Sequence, residues 1–493
     1  MATTSSSGIL KFCIWLSIPA FYHACPYKGC DCSPPNIICE GINLQAIPEI
    51  TDSNTTGLTS FLLDFNNITM IPKGSLIPNL TTLNVEGNPI TTIDDAAFEG
   101  SATTLTQLSF SHVGFARIPD AFGHLHALQG LSISYANITD WNSDVWKSFS
   151  QSLQTLSLYN VSMTSWPVWI QYFNRLQELM IDIGFISSIP DNALDGVMNT
   201  LTMLSLEGNK LTIIPKAISK LKSLQMLYLE HNRITDIRWI PQNGKLFSVA
   251  LSNNYISDAV QLSQVLRPYG RSLTSLGIEN NYLTSIPDFS YLSQIGILDL
   301  TYNRISDPLS GAAPANLNVI ELSYNALPLI PRLLSTLYSV TDIVLAYNSI
   351  KAIQEGDFHN QTTSIDLSYN MITQLSDTSF PENFGLMYLN LNSNPLTYIS
   401  PAVLKRLTNL SDLNINHSKL TRLPLALGYL KKLAFLDVSD SVDLVCTCME
   451  SALRPWIMNL GQFVVEGTCG GTTVYYFFSI LSPSCPTLAT QGG

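Results

Sequence analysis

The chain has 493 residues, of which 46% are hydrophobic and 13% are charged, with a formal net charge of −12. This composition excludes a disordered chain and predicts a large core. The negative charge disfavours nucleic acid and anionic membranes as partners, because both attract clustered Lys and Arg. A chain of this length exceeds one compact core, so it predicts either several domains or an array of repeats.

The N-terminal residues 1–24 predict a signal peptide. An apolar stretch from Ile9 to Ala24 follows a Ser- and Thr-rich start, and it is too short to span a hydrocarbon core of about 30 Å. Cleavage after Ala20 or Ala24 leaves eight of the nine cysteines, an even number that is typical of a secreted disulfide framework. The alternative is an uncleaved anchor. We expect a secreted, extracellular protein with no stable membrane insertion after signal cleavage.

Between the cysteine-rich ends, the frame L-x-x-L-x-L-x-x-N recurs at a mean spacing of about 23 residues, with Ile, Val or Phe allowed at the Leu places. The sequence predicts about 17 copies by this frame. They open at Leu58, Leu80, Leu105, Leu128, Leu153, Leu176, Leu201, Leu224, Leu246, Leu273, Ile295, Leu317, Val340, Thr362, Leu386, Leu410 and Leu433.

The frame predicts one short strand in each copy, because x-L-x-L-x alternates with period two. Stacked copies share one apolar column and one parallel sheet, and the ninth-place Asn satisfies backbone groups of adjacent coils. The return segments carry short helices where the copies are longer, for example over 218–224. The predicted fold class is therefore an α/β solenoid, a horseshoe with a parallel concave sheet. In the third to sixth copies, the Asn is replaced by Val113, Ala136, Val161 and Gly184.

The eight remaining cysteines form two clusters of four, one at each end of the repeats. By spacing alone, each cluster allows three disulfide pairings. A metal site is the alternative reading, but no His joins either cluster at a known ligand spacing. We expect neither a metal nor a cofactor.

These ends and repeats resemble the extracellular leucine-rich-repeat proteins with cysteine-rich caps, of the Slit and Toll-like ectodomain type. The resemblance covers 25–485 and is carried by CPYKGCDCSPPNIIC at the start, and by Cys446-x-Cys448 and Pro455-Trp456 near the end. It implies a cap over 25–57, repeats over 58–441, a second cap over 442–485 and a tail over 486–493. It also implies first-to-third and second-to-fourth disulfide pairing. The implied pairs are Cys25 with Cys32, Cys30 with Cys39, Cys446 with Cys469, and Cys448 with Cys485.

The third, fifth and seventh places of each copy point away from the core, and we call this surface the strand face. Asp or Glu occupies thirteen of its 51 places and Lys or Arg none, whereas average usage in this chain gives about four acids and about three bases. One-signed charge favours a protein ligand with a basic surface. The alternative is that acids at these places are part of the common repeat sequence and serve solubility.

Apolar anchors mixed with acids in the fifth to eighth copies predict the partner-binding patch. The patch consists of Tyr159, Met180, Asp182, Met203, Glu207, Met226, Tyr228 and Glu230. A second cluster combines Ile297, Val319 and Val344 with a column of tyrosines before the ladder Asn of four copies. That column is Tyr302, Tyr324, Tyr347 and Tyr369. The alternative interpretation is that these tyrosines belong to the common sequence of the repeat and have no binding role.

Eight N-x-[ST] motifs are candidate glycosylation sites. They are Asn54, Asn67, Asn79, Asn137, Asn160, Asn360, Asn409 and Asn416. A sugar on Asn416, at a seventh place, would obstruct the C-terminal part of the strand face, so we expect binding in the N-terminal two thirds.

No catalytic residues are predicted, because the sequence contains no G-x-S-x-G, H-E-x-x-H, G-x-G-x-x-G or Walker motif. Ser219-x-x-Lys222 matches a nucleophile motif by chance in a return segment. The predicted function is non-catalytic extracellular protein binding through the concave strand face, in recognition, adhesion or signalling. The alternatives are a receptor ectodomain lacking its anchor and a regulatory subunit of a secreted enzyme. The sequence does not indicate an oligomeric state.

Overall fold

The computed structural model describes residues 25–486, so the predicted signal peptide with Cys13 and residues 487–493 lie outside the described residues. The chain forms two compact units. Among the described residues, unit 1 consists of residues 25–115 and 119–128, and unit 2 of residues 116–118 and 129–486. Each unit is a leucine-rich-repeat solenoid in which every coil contributes one short strand to a parallel sheet.

In unit 1, the N-terminal cap begins the sheet with an antiparallel hairpin, Asp31–Ser33 and Asn36–Ile38. The second hairpin strand then pairs in parallel with the first repeat strand. The repeat strands are Ser60–Leu62, Thr82–Val85 and Gln107–Ser111. On the return side lie a two-strand pair, Met70–Ile71 with Thr92–Ile93, and 3-10 helices at Glu99–Ser101 and Asp120–His124.

In unit 2, seven parallel strands come first and eight follow in a second sheet. The first seven are Gly130–Ser134, Thr155–Tyr159, Glu178–Asp182, Met203–Ser205, Met226–Tyr228, Ser248–Ala250 and Ser275–Gly277. The next eight are Ile297–Asp299, Val319–Glu321, Asp342–Val344, Ser364–Asp366, Tyr388–Asn390, Asp412–Asn414, Phe435–Asp437 and Val465–Glu466. Two-strand pairs are Gln374–Leu375 with Tyr398–Ile399, and Thr468–Cys469 with Thr472–Thr473. The first member of each repeat strand follows its predicted opening by two residues, as the frame requires.

The return segments of unit 2 are mostly irregular, with short helices between them. The α-helices are Ser143–Ser148, Ala259–Leu266, Pro401–Arg406, Arg454–Leu460 and Val474–Tyr476. The 3-10 helices are Val168–Tyr172, Asp195–Val197, Lys216–Lys220, Arg267–Tyr269, Arg332–Thr336, Leu425–Tyr429, Cys448–Leu453 and Ser482–Ser484, and a π-helical turn covers Phe477–Leu481.

The helix predicted over 218–224 is wrong in its bounds. The structure has a single 3-10 turn at Lys216–Lys220, which begins directly after Pro215. Leu221 and Leu224 are fully buried, so the chain has already left the helix to place both side chains in the core. Proline fixes the extended backbone before the turn, and the same arrangement starts the turns at 168, 332 and 425.

Buried ninth-place asparagines tie each coil to the one before it. The Nδ2 of Asn232 donates to the carbonyl oxygens of Leu206 (2.9 Å) and Leu229 (3.1 Å), and its Oδ1 accepts from the backbone N–H of Leu211 (3.0 Å). This bonding confirms the predicted role of the ladder Asn. Ten others repeat it: Asn66, Asn88, Asn209, Asn254, Asn281, Asn303, Asn325, Asn348, Asn370 and Asn394.

Two kinds of coil lack this asparagine. In the coils where the sequence predicts interruption, Val113, Ala136 and Val161 are buried and fill the place with apolar atoms. The last two repeat coils carry serine instead, which the sequence analysis did not note. The backbone N–H of Ser418 donates to the Oγ of Ser441 (3.1 Å), and the two hydroxyls lie 3.0 Å apart.

Four disulfides close the two caps: Cys25–Cys32, Cys30–Cys39, Cys446–Cys469 and Cys448–Cys485. These are the pairs that the resemblance implies. In the first cap, the ring of Tyr27 stacks on Phe61 at 4.5 Å. In the second, the indole N–H of Trp456 donates to the carbonyl oxygen of Leu430 (3.0 Å). Each cap thus covers the apolar end of its unit, which would otherwise face solvent.

Candidate protein-binding site on the strand face

The predicted patch lies entirely in unit 2, on four adjacent strands. Leucines alternate with its residues and are buried, as at Leu179, Leu204 and Leu227. Because strand side chains alternate, the intervening residues emerge on the strand face. Parallel pairing sets Met203 beside Met226, and Tyr159 beside Asp182.

Three columns run across the strands of the patch. Seventh-place residues form the longest, Tyr159, Asp182, Glu207 and Glu230 in consecutive coils. The third-place column contains the adjacent pair Met203 and Met226. In the fifth-place column, Met180 and Tyr228 are separated by Ser205. The structure therefore brings all eight predicted residues onto one surface, with the acids along one side, Met203 and Met226 along the other, and Met180 between them.

One carboxylate oxygen of Asp182 is already hydrogen-bonded within the protein. Its Oδ1 accepts from the hydroxyl of Ser205 (2.7 Å) and from the backbone N–H of Glu207 (2.9 Å). Burial raises the pKa of Asp182 to about 6, although these two donors oppose the shift, and the charge of Glu207 adds to it. Asp182 therefore fastens two coils together and is only a weak candidate for direct partner contact.

Glu230, two coils further along the seventh-place column, is less constrained than Asp182. The Oε2 of Glu230 has no hydrogen-bond partner among the described residues. Burial raises the pKa of Glu230, with smaller contributions from the charges of Glu207, Asp182 and Glu279. An under-satisfied carboxylate among like charges is stabilised by any cation brought to it.

Fifth-place acids on other strands have a local structural role. The Oδ1 of Asp299 accepts from the backbone N–H of Thr301 (2.8 Å), and Asp366 and Asp437 bind the N–H two residues ahead in the same way. Each of these acids satisfies an N–H where the strand ends. Asn84, Asn390 and Asn414 make the same contact without a charge. Part of the acid excess therefore follows from strand-end geometry.

The tyrosine column forms a continuous stack in unit 2. The rings of Tyr302, Tyr324, Tyr347 and Tyr369 follow one another at centroid distances of 4.2, 4.2 and 4.1 Å, with interplanar angles of 8–10°. Ile297 is 62% exposed near its start. The four tyrosines of the predicted second cluster therefore form a single ordered stack.

The eighth place, which holds these tyrosines, is left-handed in every coil. Its φ is 53° at Tyr302, 55° at Tyr324 and 65° at Gly208. Sequence reasoning missed this conformation, because only Gly and Asn at the same place signal it. The turn at this place directs the chain from the strand into the return segment.

The candidate glycosylation sites differ in exposure. Exposed acceptors are Asn54, Asn67, Asn79, Asn137 and Asn360, and half-buried ones are Asn160, Asn409 and Asn416. The Nδ2 of Asn416 donates to Asp437 (2.7 Å) on the strand face. Modification of that nitrogen would compete with this contact.

Comparisons with known proteins agree with the repeat assignment. The leucine-rich-repeat family model matches residues 78–138, 174–234, 360–420 and 384–441. Podocan-like protein 1 of Homo sapiens is 26% identical over 446 residues, covering 82% of this chain and 84% of the relative. Podocan of Mus musculus is 27% identical over 424 residues (81% and 65%), and keratocan of Bos taurus 25% over 283 (54% and 70%).

Solved structures show the same fold. A leucine-rich-repeat protein of Leptospira interrogans has a TM-score of 0.58 at 21% identity, covering 87% of this chain and 94% of the other. One from Bacteroides thetaiotaomicron has a TM-score of 0.54 at 21% identity, covering 78% and 51%. Within residues 25–486, no helix is long and apolar enough to cross a membrane.

Proposed function

We propose that this chain, a leucine-rich-repeat protein with a disulfide-bonded cap at each end, is a non-catalytic extracellular protein that binds a partner protein through its strand face. The observation that carries the proposal is the seventh-place column of Glu207 and Glu230 on the same surface as the half-buried side chains of Met203, Met226 and Tyr228. Adaptable apolar anchors near an under-satisfied carboxylate and a second acid suit a basic protein surface.

The disulfides support an extracellular location, because such bonds persist in oxidising compartments. The rigid backbone supports a binding role. Strand and ladder bonds hold the patch in one arrangement, so little conformational entropy is lost when a partner docks.

Crosslinking of the full-length protein at the surface of cells that secrete it tests the proposal. The patch variant carries Glu207→Gln, Glu230→Gln and Tyr228→Ser. The matched control carries Asp412→Asn and Tyr388→Ser, which lie on the strand face in later coils. Asp182 is left intact, since it fastens two coils.

We expect a crosslinked partner with an excess of Lys and Arg at the contact, which the patch variant loses and the control retains. Neither variant should unfold at a lower temperature than the parent. Equal capture by the parent and the patch variant would place the contact elsewhere. Turnover of a substrate by pure protein, abolished by one side-chain change, would overturn the non-catalytic assignment.

A further inference from the structure

A second surface of unit 2 adjoins the strand face, where the chain leaves each strand. It comprises the eighth, tenth and twelfth places of the nine coils that open from Leu176 to Thr362, and we call it the flank. The ninth-place side chain between them points into the core, as Asn209 and Asn303 do. Residues on either side of it therefore face outward.

The flank has the opposite charge to the strand face. Its 27 places contain no Asp or Glu and four cations, Lys210, Arg233, Arg304 and Lys351. Within residues 25–486, none of these four forms a salt bridge. Arg233, Arg304 and Lys351 are exposed. Their charge is therefore available to a partner.

Aromatic side chains fill the places between the cations. They are Phe185, Tyr255, Tyr282, Tyr302, Tyr324, Tyr347 and Tyr369. The rings of Tyr255 and Tyr282 stack at 5.1 Å, and the guanidinium of Arg304 lies 3.7 Å from the centre of the Tyr282 ring. The cation and these two rings thus form one preorganised strip, and Tyr302, which starts the tyrosine column, lies in the same coil as Arg304.

Regular backbone bonding holds this strip in register. The N–H of each tenth-place residue donates to the eleventh-place carbonyl of the preceding coil, as from Arg233 to Leu211 (2.8 Å) and from Arg304 to Leu283 (2.9 Å). Side chains of equal place therefore repeat at the spacing of parallel strands, about 4.8 Å.

The tyrosines occupy a place that strains their backbone. A left-handed conformation costs a non-glycine residue about 1–2 kcal/mol, and neighbouring coils use Gly208, Asn253 and Asn280 there. Stacking offsets part of the cost for the tyrosines and covers their ring faces. The faces that meet within the stack are thus closed to sugar rings, while the residues remain 53% exposed at Tyr302 and 43% exposed at Tyr369.

Acceptor sequons avoid the flank. In earlier coils of unit 2, Asn137 and Asn160 occupy a tenth and an eighth place, but no N-x-[ST] motif starts at any of the 27 flank places. A glycan attached at a sequon therefore does not grow from this surface.

We propose that the flank is a second docking surface, which takes an extended acidic segment of another protein whose carboxylates pair with Arg233, Arg304 and Lys351 while its aromatic or apolar side chains lie along the tyrosine column. A uniform polyanion fits less well, because the net charge of −12 and the adjoining acidic strand face repel it. The flank contains more tyrosines than cations, so apolar and aromatic contacts should add as much to binding affinity as charge pairing does.

Binding of synthetic polymers to the immobilised full-length protein tests this inference. The probe is a random copolymer of glutamate and tyrosine, with poly-glutamate and heparin as comparison polymers. One variant carries Arg233→Glu and Lys351→Glu. Another carries Tyr324→Asn and Tyr347→Asn, since Asn accepts the left-handed backbone. The matched control is Lys222→Glu, an exposed cation on a return segment.

We expect the copolymer to bind more tightly than either comparison polymer, and the charge variant to weaken it about tenfold, because two attractions become repulsions. The tyrosine variant should reduce the preference for the copolymer over poly-glutamate, and Lys222→Glu should change nothing. Glu207→Gln on the strand face should also leave copolymer binding intact, which separates this inference from the proposed function. Absence of copolymer binding, stronger binding of heparin, or an equal loss in the Lys222 variant would overturn it.

Discussion

Replacement of Asn232 by alanine removes four hydrogen bonds from the interior of unit 2. Its Nδ2 donates to Leu206, Leu229 and Glu230, and its Oδ1 accepts from Leu211. Leu211 is in the core, so its N–H loses its partner where water does not reach, whereas the carbonyl oxygen of Leu206 keeps the Nδ2 of Asn209 as a donor (3.1 Å). An unsatisfied buried N–H costs about 1–3 kcal/mol and each lost hydrogen bond about 0.5–1.5 kcal/mol, so the substitution should destabilise unit 2 by about 2–4 kcal/mol.

Hydrogen exchange measured by mass spectrometry, together with urea unfolding, checks this prediction. The faster exchange should centre on the peptides around Leu206 and Leu211, because each coil interacts mainly with its neighbours. Ser441→Ala is the matched control. It removes the acceptor of the Ser418 N–H, the contact between the two hydroxyls and a long contact with the carbonyl oxygen of Ser439, fewer bonds than Asn232 makes, and should cost about 1–2 kcal/mol. A loss below that of the serine control, or exchange that rises uniformly along the chain, would refute the reasoning.

Three further predictions concern charge, caps and turns. The pKa of Asp182 is about 6 in the folded protein and 3.8 ordinarily, so its favourable contribution to stability is complete below pH 3.8 and is lost as pH rises through 6. Asp182→Asn should therefore stabilise the protein by about 1 kcal/mol at pH 8 and hardly at pH 3.5, as measured by urea unfolding. Replacing Cys448 and Cys485 by serine should lower the free energy of unfolding by about 3–4 kcal/mol in thermal unfolding, since the bond closes a long loop. Gly208→Ala should cost about 1–2 kcal/mol, because its φ is 65° and the added methyl meets the preceding coil, whereas Gly208→Asn should cost less than Gly208→Ala by calorimetry.

The features that the sequence predicts correctly are those set by the spacing of residues within one repeat. The alternation of leucines predicts which strand residues are buried, and Leu204 and Leu227 are. The ninth-place Asn predicts a buried amide that serves two coils, because a polar group recurring in an apolar frame needs such partners. Return segments are harder to place from sequence. The prediction of a helix at 218–224 is wrong because the helical turn begins earlier, directly after Pro215, and because Leu221 and Leu224 then pack into the core.

The patch on the strand face shows where sequence reasoning stops. It selects Asp182, Glu207 and Glu230 as equals, whereas the structure separates them. Asp182 is bound by Ser205 and by a backbone N–H, and Glu230 has an unsatisfied oxygen. Whether an acid is hydrogen-bonded within the protein depends on donors from a neighbouring coil, about one repeat length away in the chain. The repeat frame does not specify those donors.

The sequence by itself therefore determines the coil, its strand, its buried ladder and the cysteine clusters that cover its ends, because these follow from the periodic placement of side chains along one turn. Only the tertiary structure decides which cysteines pair, that the eighth place is left-handed, that four tyrosines stack ring on ring, and that a basic flank adjoins an acidic strand face. These properties arise between coils, where residues more than twenty positions apart come into contact, and their physical cause is the register in which the coils stack.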